Sequence, residues 1–184
     1  MPDDRQALHD GLRMAAVALG QAGITYALCG GYAAWARGAP EPSHDADFVI
    51  RERDVDRARV ALADAGLDVH EPAEDWLFKA FHHGELVDVL FRMVGEPVSD
   101  EVFDRADVLE VLAVRMPVLS ATDIFSAKVR VMHEHYCDFA RLLPVARALR
   151  EQIDWGQVRR EAEGDPFADA FLHLITTLRI IEPA

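Results

Sequence analysis

The stretch from Leu28 to Ile50, LCGGYAAWARGAPEPSHDADFVI, decides how the rest of the chain is read. It opens as a short apolar strand that runs into two glycines, Gly30 and Gly31. One or two turns of helix follow, then a loop, then a second strand headed by Asp45 and Asp47. Alternate residues of a strand share a face, so these two aspartates point one way while Ala46 and Phe48 point the other. Two carboxylates on one face repel each other. A cation between them relieves the repulsion, and Mg²⁺, which prefers carboxylate and water oxygens, suits the position.

Outward from this stretch the chain alternates helix and strand. On the N-terminal side, Asp3 and Asp4 can cap a helix whose apolar positions Leu8, Leu12, Ala15, Ala16 and Leu19 recur at helical spacing, closed by Gly20 and Gly23. On the C-terminal side, a helix from near Asp54 carries Val55, Ala58, Val60, Leu62 and Ala65 and ends at Gly66. That order predicts a sheet with helices packed on it. Trp76 to Arg92 reads as two strands joined at His83-Gly84, because Leu77, Phe78, Phe81, Leu86, Val87, Val89, Leu90 and Phe91 suit a pleated, buried surface. In the second of them Leu86, Asp88 and Leu90 share a face. A carboxylate on an apolar face is costly without a partner, so Asp88 is either paired or points into water from an edge strand.

Glu110 to Ser120 reads as a further hairpin or strand-turn element around Pro117, and Ser120-Ala-Thr-Asp123 offers a capped helix start. Beyond it the strand signal disappears. Helices are expected near Asp123 to His135, Asp138 to Glu151, Asp154 to Ala162 and Pro166 to Ile180, with Asp138 capping the second. The expected class is therefore α/β in its α+β form: a mixed sheet core with flanking helices over residues 1–118, then a helical region over 119–184.

The length of 184 residues suits one domain or one domain with a helical appendage, and 51% hydrophobic with 28% charged residues is the composition of a soluble globular protein. A formal net charge of −13 disfavours general nucleic-acid binding, which depends on Lys and Arg neutralising phosphates. No apolar run is long enough to span a bilayer, and Met1 to Arg13 mixes charged with apolar residues. Neither a membrane helix nor a secretory signal is expected. Cys29 and Cys137 lie far apart without metal or redox spacing, which fits a reducing cytoplasm. Arginine outnumbers lysine 17 to two, Lys79 and Lys128. A coding bias toward Arg and Ala explains the ratio, and a lysine retained against it is a candidate for a chemical role.

Other constellations carry less. His133 and Cys137 stand one helical turn apart but lack further ligands, and read as a half-buried pair. His82 and His83 adjoin on a strand and face opposite ways. Trp35, Trp76 and Trp155 are assigned to core packing.

Strand, Gly30-Gly31, short helix, then Ser43-x-Asp45-x-Asp47 on the next strand and Asp88 on a later one resembles the DNA polymerase beta-like nucleotidyltransferase superfamily. Within it, the chain is similar to the small single-chain branch of lincosamide and aminoglycoside adenylyltransferases and of nucleotidyltransferase toxins from toxin-antitoxin pairs. The match covers the first half of the chain in order and spacing. The helical tail, with Lys128 and then His135-Tyr-Cys-Asp138, is similar in outline to a Lys and an Asp that follow the core in the toxin branch. The resemblance implies a nucleotidyltransferase-type core that moves an NMP group from an NTP to a hydroxyl acceptor. It implies Asp45, Asp47 and Asp88 as catalytic and metal-binding residues, with two Mg²⁺ ions when nucleotide is bound, and Gly30 and Gly31 as a nucleotide-binding turn. Lys128 would reach the triphosphate, although its helical face with Phe125, Val129 and Met132 also reads as that of a solvated lysine. The acceptor stays open among a small molecule, a protein and a tRNA end, as does an antitoxin-like partner. The chain departs from the pattern at Glu41, where many members carry Arg, and at Ala46, where a branched residue is usual. These departures leave a catalytically weakened nucleotide- or protein-binding member as the alternative.

Overall fold

A computed structural model describes residues 4–183. Asp3 lies outside the described residues, and Asp4 is already the first residue of helix α1 (Asp4–Gln21). Strand β1 (Tyr26–Cys29), helix α2 (Gly30–Ala36) and strand β2 (Ala46–Ile50) follow, then a 3₁₀ turn at Glu52–Asp54 and helix α3 (Val55–Asp64). Strands β3 (Asp68–His70), β4 (Leu77–His82) and β5 (Glu85–Leu90) precede a two-residue ribbon, β6 (Arg92–Met93) with β7 (Glu96–Pro97), and helix α4 (Asp100–Asp104). A hairpin of β8 (Asp107–Val111) and β9 (Val114–Val118) leads to the tail helices α5 (Ala121–Arg130), α6 (Phe139–Leu149), α7 (Trp155–Glu161) and α8 (Pro166–Thr177).

Seven strands form one mixed sheet in the order β3-β4-β5-β2-β1-β9-β8. β1 and β2 lie inside it, antiparallel to each other, while β2 runs parallel to β5 and β1 parallel to β9. Central position explains their composition. Strands covered on both faces read as apolar runs rather than alternations, and all four residues of β1, with Ala46, Phe48, Val49 and Ile50 of β2, are buried. α1 packs on β4, β5 and α3, and α5 packs against α2 and the other tail helices. Phe125 of α5 stands 5.1 Å from Trp155 and 6.1 Å from Phe171, so one apolar core continues from the sheet into the tail. Ser120 caps α5 through Asp123 N–H, and Asp138 caps α6 through Arg141 N–H, as the sequence predicts.

Several expectations need correction. β3 was invisible to periodicity, since Asp-Val-His is too short and polar to alternate. The β8–β9 turn is at Leu112 and Ala113, both at positive φ, and Pro117 lies inside β9. A turn without glycine or asparagine gives no sequence signal. Pro117 is tolerated because the β1–β9 ladder is confined to Leu28 opposite Val118. α5 stops at Arg130, five residues before His135, so His133 and Cys137 share no helix and both are exposed. Val60 is 60% exposed because it lies two residues from Ala58 and Leu62, off their stripe. Trp76, just ahead of β4, is 41% exposed and outside the core. His83 sits in the turn at φ +51°, which brings its ring 4.3 Å from that of His82.

One side chain ties the two halves of the fold together. Arg37, after α2, donates from Nε to the Leu119 carbonyl at 2.6 Å, and from Nη2 to the Val118 carbonyl at 3.1 Å and to Asp107 at 2.8 Å. Arg37→Met would leave buried acceptors without a donor. The expected loss is about 2 kcal/mol in urea unfolding, with the secondary structure unchanged by circular dichroism.

Candidate active site

Strand pairing sets out the site as a row across the sheet. Cys29 of β1 lies opposite Asp47 of β2, Asp47 opposite Asp88 of β5, Asp88 opposite Lys79 of β4, and Lys79 opposite His70 of β3. Residues paired across a ladder share a face, so the two aspartates stand side by side with a lysine next in line. Asp45 joins them from just ahead of β2. It is outside the strand, at φ +26°, so strand alternation does not aim it. Asp is one of the few residues that tolerate this left-handed region. One carboxylate oxygen from each of Asp45, Asp47 and Asp88 lies within 4.8 Å of the others.

Gly30 makes the convergence possible. Its φ is +64°, and a Cβ built there would fall 1.9 Å from Asp47 Oδ2 and 2.6 Å from its Cγ. The carboxylate occupies the space a side chain would need. Gly31 is also confined, because a Cβ there would come within 2.9 Å of Pro42, and its backbone N–H donates to Asp47. The double glycine thus seats an aspartate at the start of α2.

Burial first, and then the neighbouring Asp45 charge, push the Asp47 carboxyl up to about 7 against the opposing pull of Lys128. Lys128 is half-buried on α5, near enough to the cluster for its charge to act on Asp47. Asp88 is raised by burial and lowered by Lys79, whose Nζ donates to Asp88 Oδ1 at 3.1 Å. Burial also raises the Cys29 thiol. The two lysines of the chain thus act on two of the carboxylates, Lys128 on Asp47 and Lys79 on Asp88. The hairpin at His83-Gly84 carries the signal for the Lys79 contact, since a two-residue turn there sets Lys79 opposite Asp88.

Glu41 does not face the cluster as a bare charge. It pairs with His9 at 2.9 Å and with Arg5 at 3.5 Å, both on α1, and so anchors the loop between α2 and β2. Ala46 is fully buried opposite Val87.

The donor set fits a hard divalent cation. Oxygens around an octahedral Mg²⁺ lie about 3 to 4 Å apart, close to the observed span, and three crowded carboxylates call for positive charge. The residues that would hold it are Asp45, Asp47 and Asp88.

Two outcomes follow from the geometry. Gly30→Ala is expected to displace the Asp47 carboxylate and weaken Mn²⁺ binding at least about tenfold, with Gly31→Ala milder; titration of the Mn²⁺ electron-paramagnetic signal checks both. Asp47 holds its proton more tightly folded, at about 7, than unfolded, near 3.8. The stability this contributes is complete below the lower value and is lost as pH rises through the upper one. Melting without divalent cations should show stability falling with pH between those values, by up to about 1.4 kcal/mol per pH unit. Asp47→Asn should make that slope shallower.

No protein-family model matches the chain, and none of the curated proteins matches it by sequence. Solved structures do. ANT(2'')-Ia in complex with adenylyl-2''-tobramycin superposes at a TM-score of 0.53 and 18% identity, over 93% of this chain and 96% of that one. The lincomycin-bound lincosamide antibiotic adenylyltransferase LnuA gives 0.52 and 12%, over 74% and 92%. A candidate nucleotidyltransferase of Thermotoga maritima gives 0.53 and 16%, over 65% and 81%. With an internal β1–β2 pair behind a glycine turn, a parallel β5 and a helical tail, the chain has the nucleotidyltransferase fold.

Proposed function

We propose that the protein is a Mg²⁺-dependent nucleotidyltransferase that transfers an NMP group from an NTP, ATP among the candidates, to a hydroxyl acceptor and releases pyrophosphate. The observation that carries this reading is the meeting of Asp45, Asp47 and Asp88 beside the Gly30-Gly31 turn, on a fold shared with nucleotidyltransferases.

The roles follow from position. Asp45, Asp47 and Asp88 would hold two Mg²⁺ ions in the presence of nucleotide, which supply positive charge to the phosphate oxygens. Asp88 would accept the proton of the attacking hydroxyl, and that oxygen would form the new bond to the α-phosphorus as the bond to the bridging oxygen of pyrophosphate breaks. Lys128, whose charge acts on Asp47, would offset the charge of the triphosphate. Gly30 and Gly31 would act by seating Asp47 and presenting the first turn of α2 to the nucleotide. We assign the helical region 119–184 to the acceptor side of the core of 1–118. The acceptor is a hydroxyl on an antibiotic-like small molecule, a protein or a tRNA end, and an antitoxin-like protein is one class of partner. Glu41 weighs against the weakened-enzyme alternative, since α1 already neutralises it. Both cysteines are free, in keeping with a cytoplasmic setting, and no described helix is long and apolar enough to cross a membrane.

Calorimetry with each NTP and Mg²⁺, followed by pyrophosphate release against a panel of hydroxyl acceptors, tests the reading. Asp45→Asn and Asp88→Asn are expected to remove release by at least about a hundredfold while the fold persists. Full activity in both variants would overturn the assignment, and nucleotide binding without transfer to any acceptor would favour the weakened member.

A further inference from the structure

We propose that Lys79 is a positioning residue for Asp88, a role that rests on reading the three aspartates as a cation site. Its Nζ reaches Asp88 Oδ1 at 3.1 Å across the β4–β5 ladder, where the two residues are direct partners. Lys79 is the only hydrogen-bond donor to the Asp88 carboxylate among the described residues. The other strand aspartate is held differently: Asp47 is wedged over Gly30 and bonded by Gly31.

The pair is sheltered, with the Lys79 side chain 28% exposed and that of Asp88 11%, so it escapes much of the screening that makes surface pairs weak. Its strength is set against a specific opponent. Asp88 stands beside two like charges, and an untethered carboxylate would swing away from them. The lysine bonds Oδ1 and leaves Oδ2 without a side-chain partner, and one Asp88 oxygen lies within 4.8 Å of oxygens of Asp45 and Asp47, so the bond restricts the rotamer while sparing a lone pair for the cluster.

The choice of lysine also has a physical reason. Guanidinium groups grip carboxylates with both prongs, as Arg105 grips Asp123 here, at 2.5 Å on one oxygen and 3.0 Å on the other. An ammonium is a single point donor. In a chain with 17 arginines and two lysines, position 79 has the cation that occupies one oxygen and spares the other.

The test measures the χ1 rotamer of Asp88 by three-bond NMR couplings in the metal-free protein, together with Mn²⁺ affinity from its electron-paramagnetic signal. Wild type is expected to show one rotamer. Lys79→Met should average it, with Lys79→Thr, too short to reach Asp88, serving if the methionine variant does not fold. Lys79→Arg should keep Asp88 ordered while taking both oxygens, so Mn²⁺ affinity falls in both Lys79→Met and Lys79→Arg, by roughly ten to a hundredfold. A single rotamer retained without the lysine, or unchanged Mn²⁺ affinity in either variant, overturns the proposal. If wild type binds no Mn²⁺, the cation-site reading fails, and the rotamer comparison still decides the role of Lys79.

Discussion

Three carboxylates brought together out of bulk water repel one another, and much of the structure around them exists to hold them there. Adjacent parallel strands place Asp47 and Asp88 in one row. Backbone at positive φ turns Asp45 toward them. A missing side chain at Gly30 leaves room for one carboxylate, a lysine across the ladder bonds the second, and another lysine on α5 offsets part of the negative charge. Pairing and backbone create the crowding, while the glycine and the two lysines make it tolerable.

The stability that offsets this cost lies elsewhere. Behind the row, Leu28, Phe48, Val89 and Phe78 form a fully buried rank on adjacent strands, one residue along from the acidic row and on the opposite face. This apolar rank helps keep the register that aligns the aspartates, because a slip of one residue would exchange the two faces. The tail belongs to the same framework. α5 packs against α2 and carries Lys128, Arg37 ties the end of α2 to the carbonyls that lead into α5, and Phe125 joins that helix to α7 and α8. A change in the tail therefore reaches the site through α2 and α5.

Glu41, where an arginine was expected, has partners of its own in the fold. In sequence it removes a positive group near the expected phosphates. In the fold its carboxylate is turned to His9 and Arg5 on α1, thirty or more residues earlier, where it anchors the loop that delivers Asp45. The residue serves the site by holding the loop.

The order of strand, glycine pair, short helix and Asp-x-Asp strand, the capped starts of α5 and α6, and the hairpin at His83-Gly84 could all be read from the sequence by itself, because local sterics, capping and period-two alternation govern them. So could the three acidic candidates, as residues. Their convergence could not, since it depends on β5 joining β2 in parallel, a pairing between segments some forty residues apart that no periodicity encodes. The seat that Gly30 makes for Asp47 depends in the same way on packing, which brings the turn after β1 against β2. The Lys79–Asp88 bond is more local: a two-residue turn at His83-Gly84 sets the two residues opposite each other, and the structure adds the rotamers that close the contact.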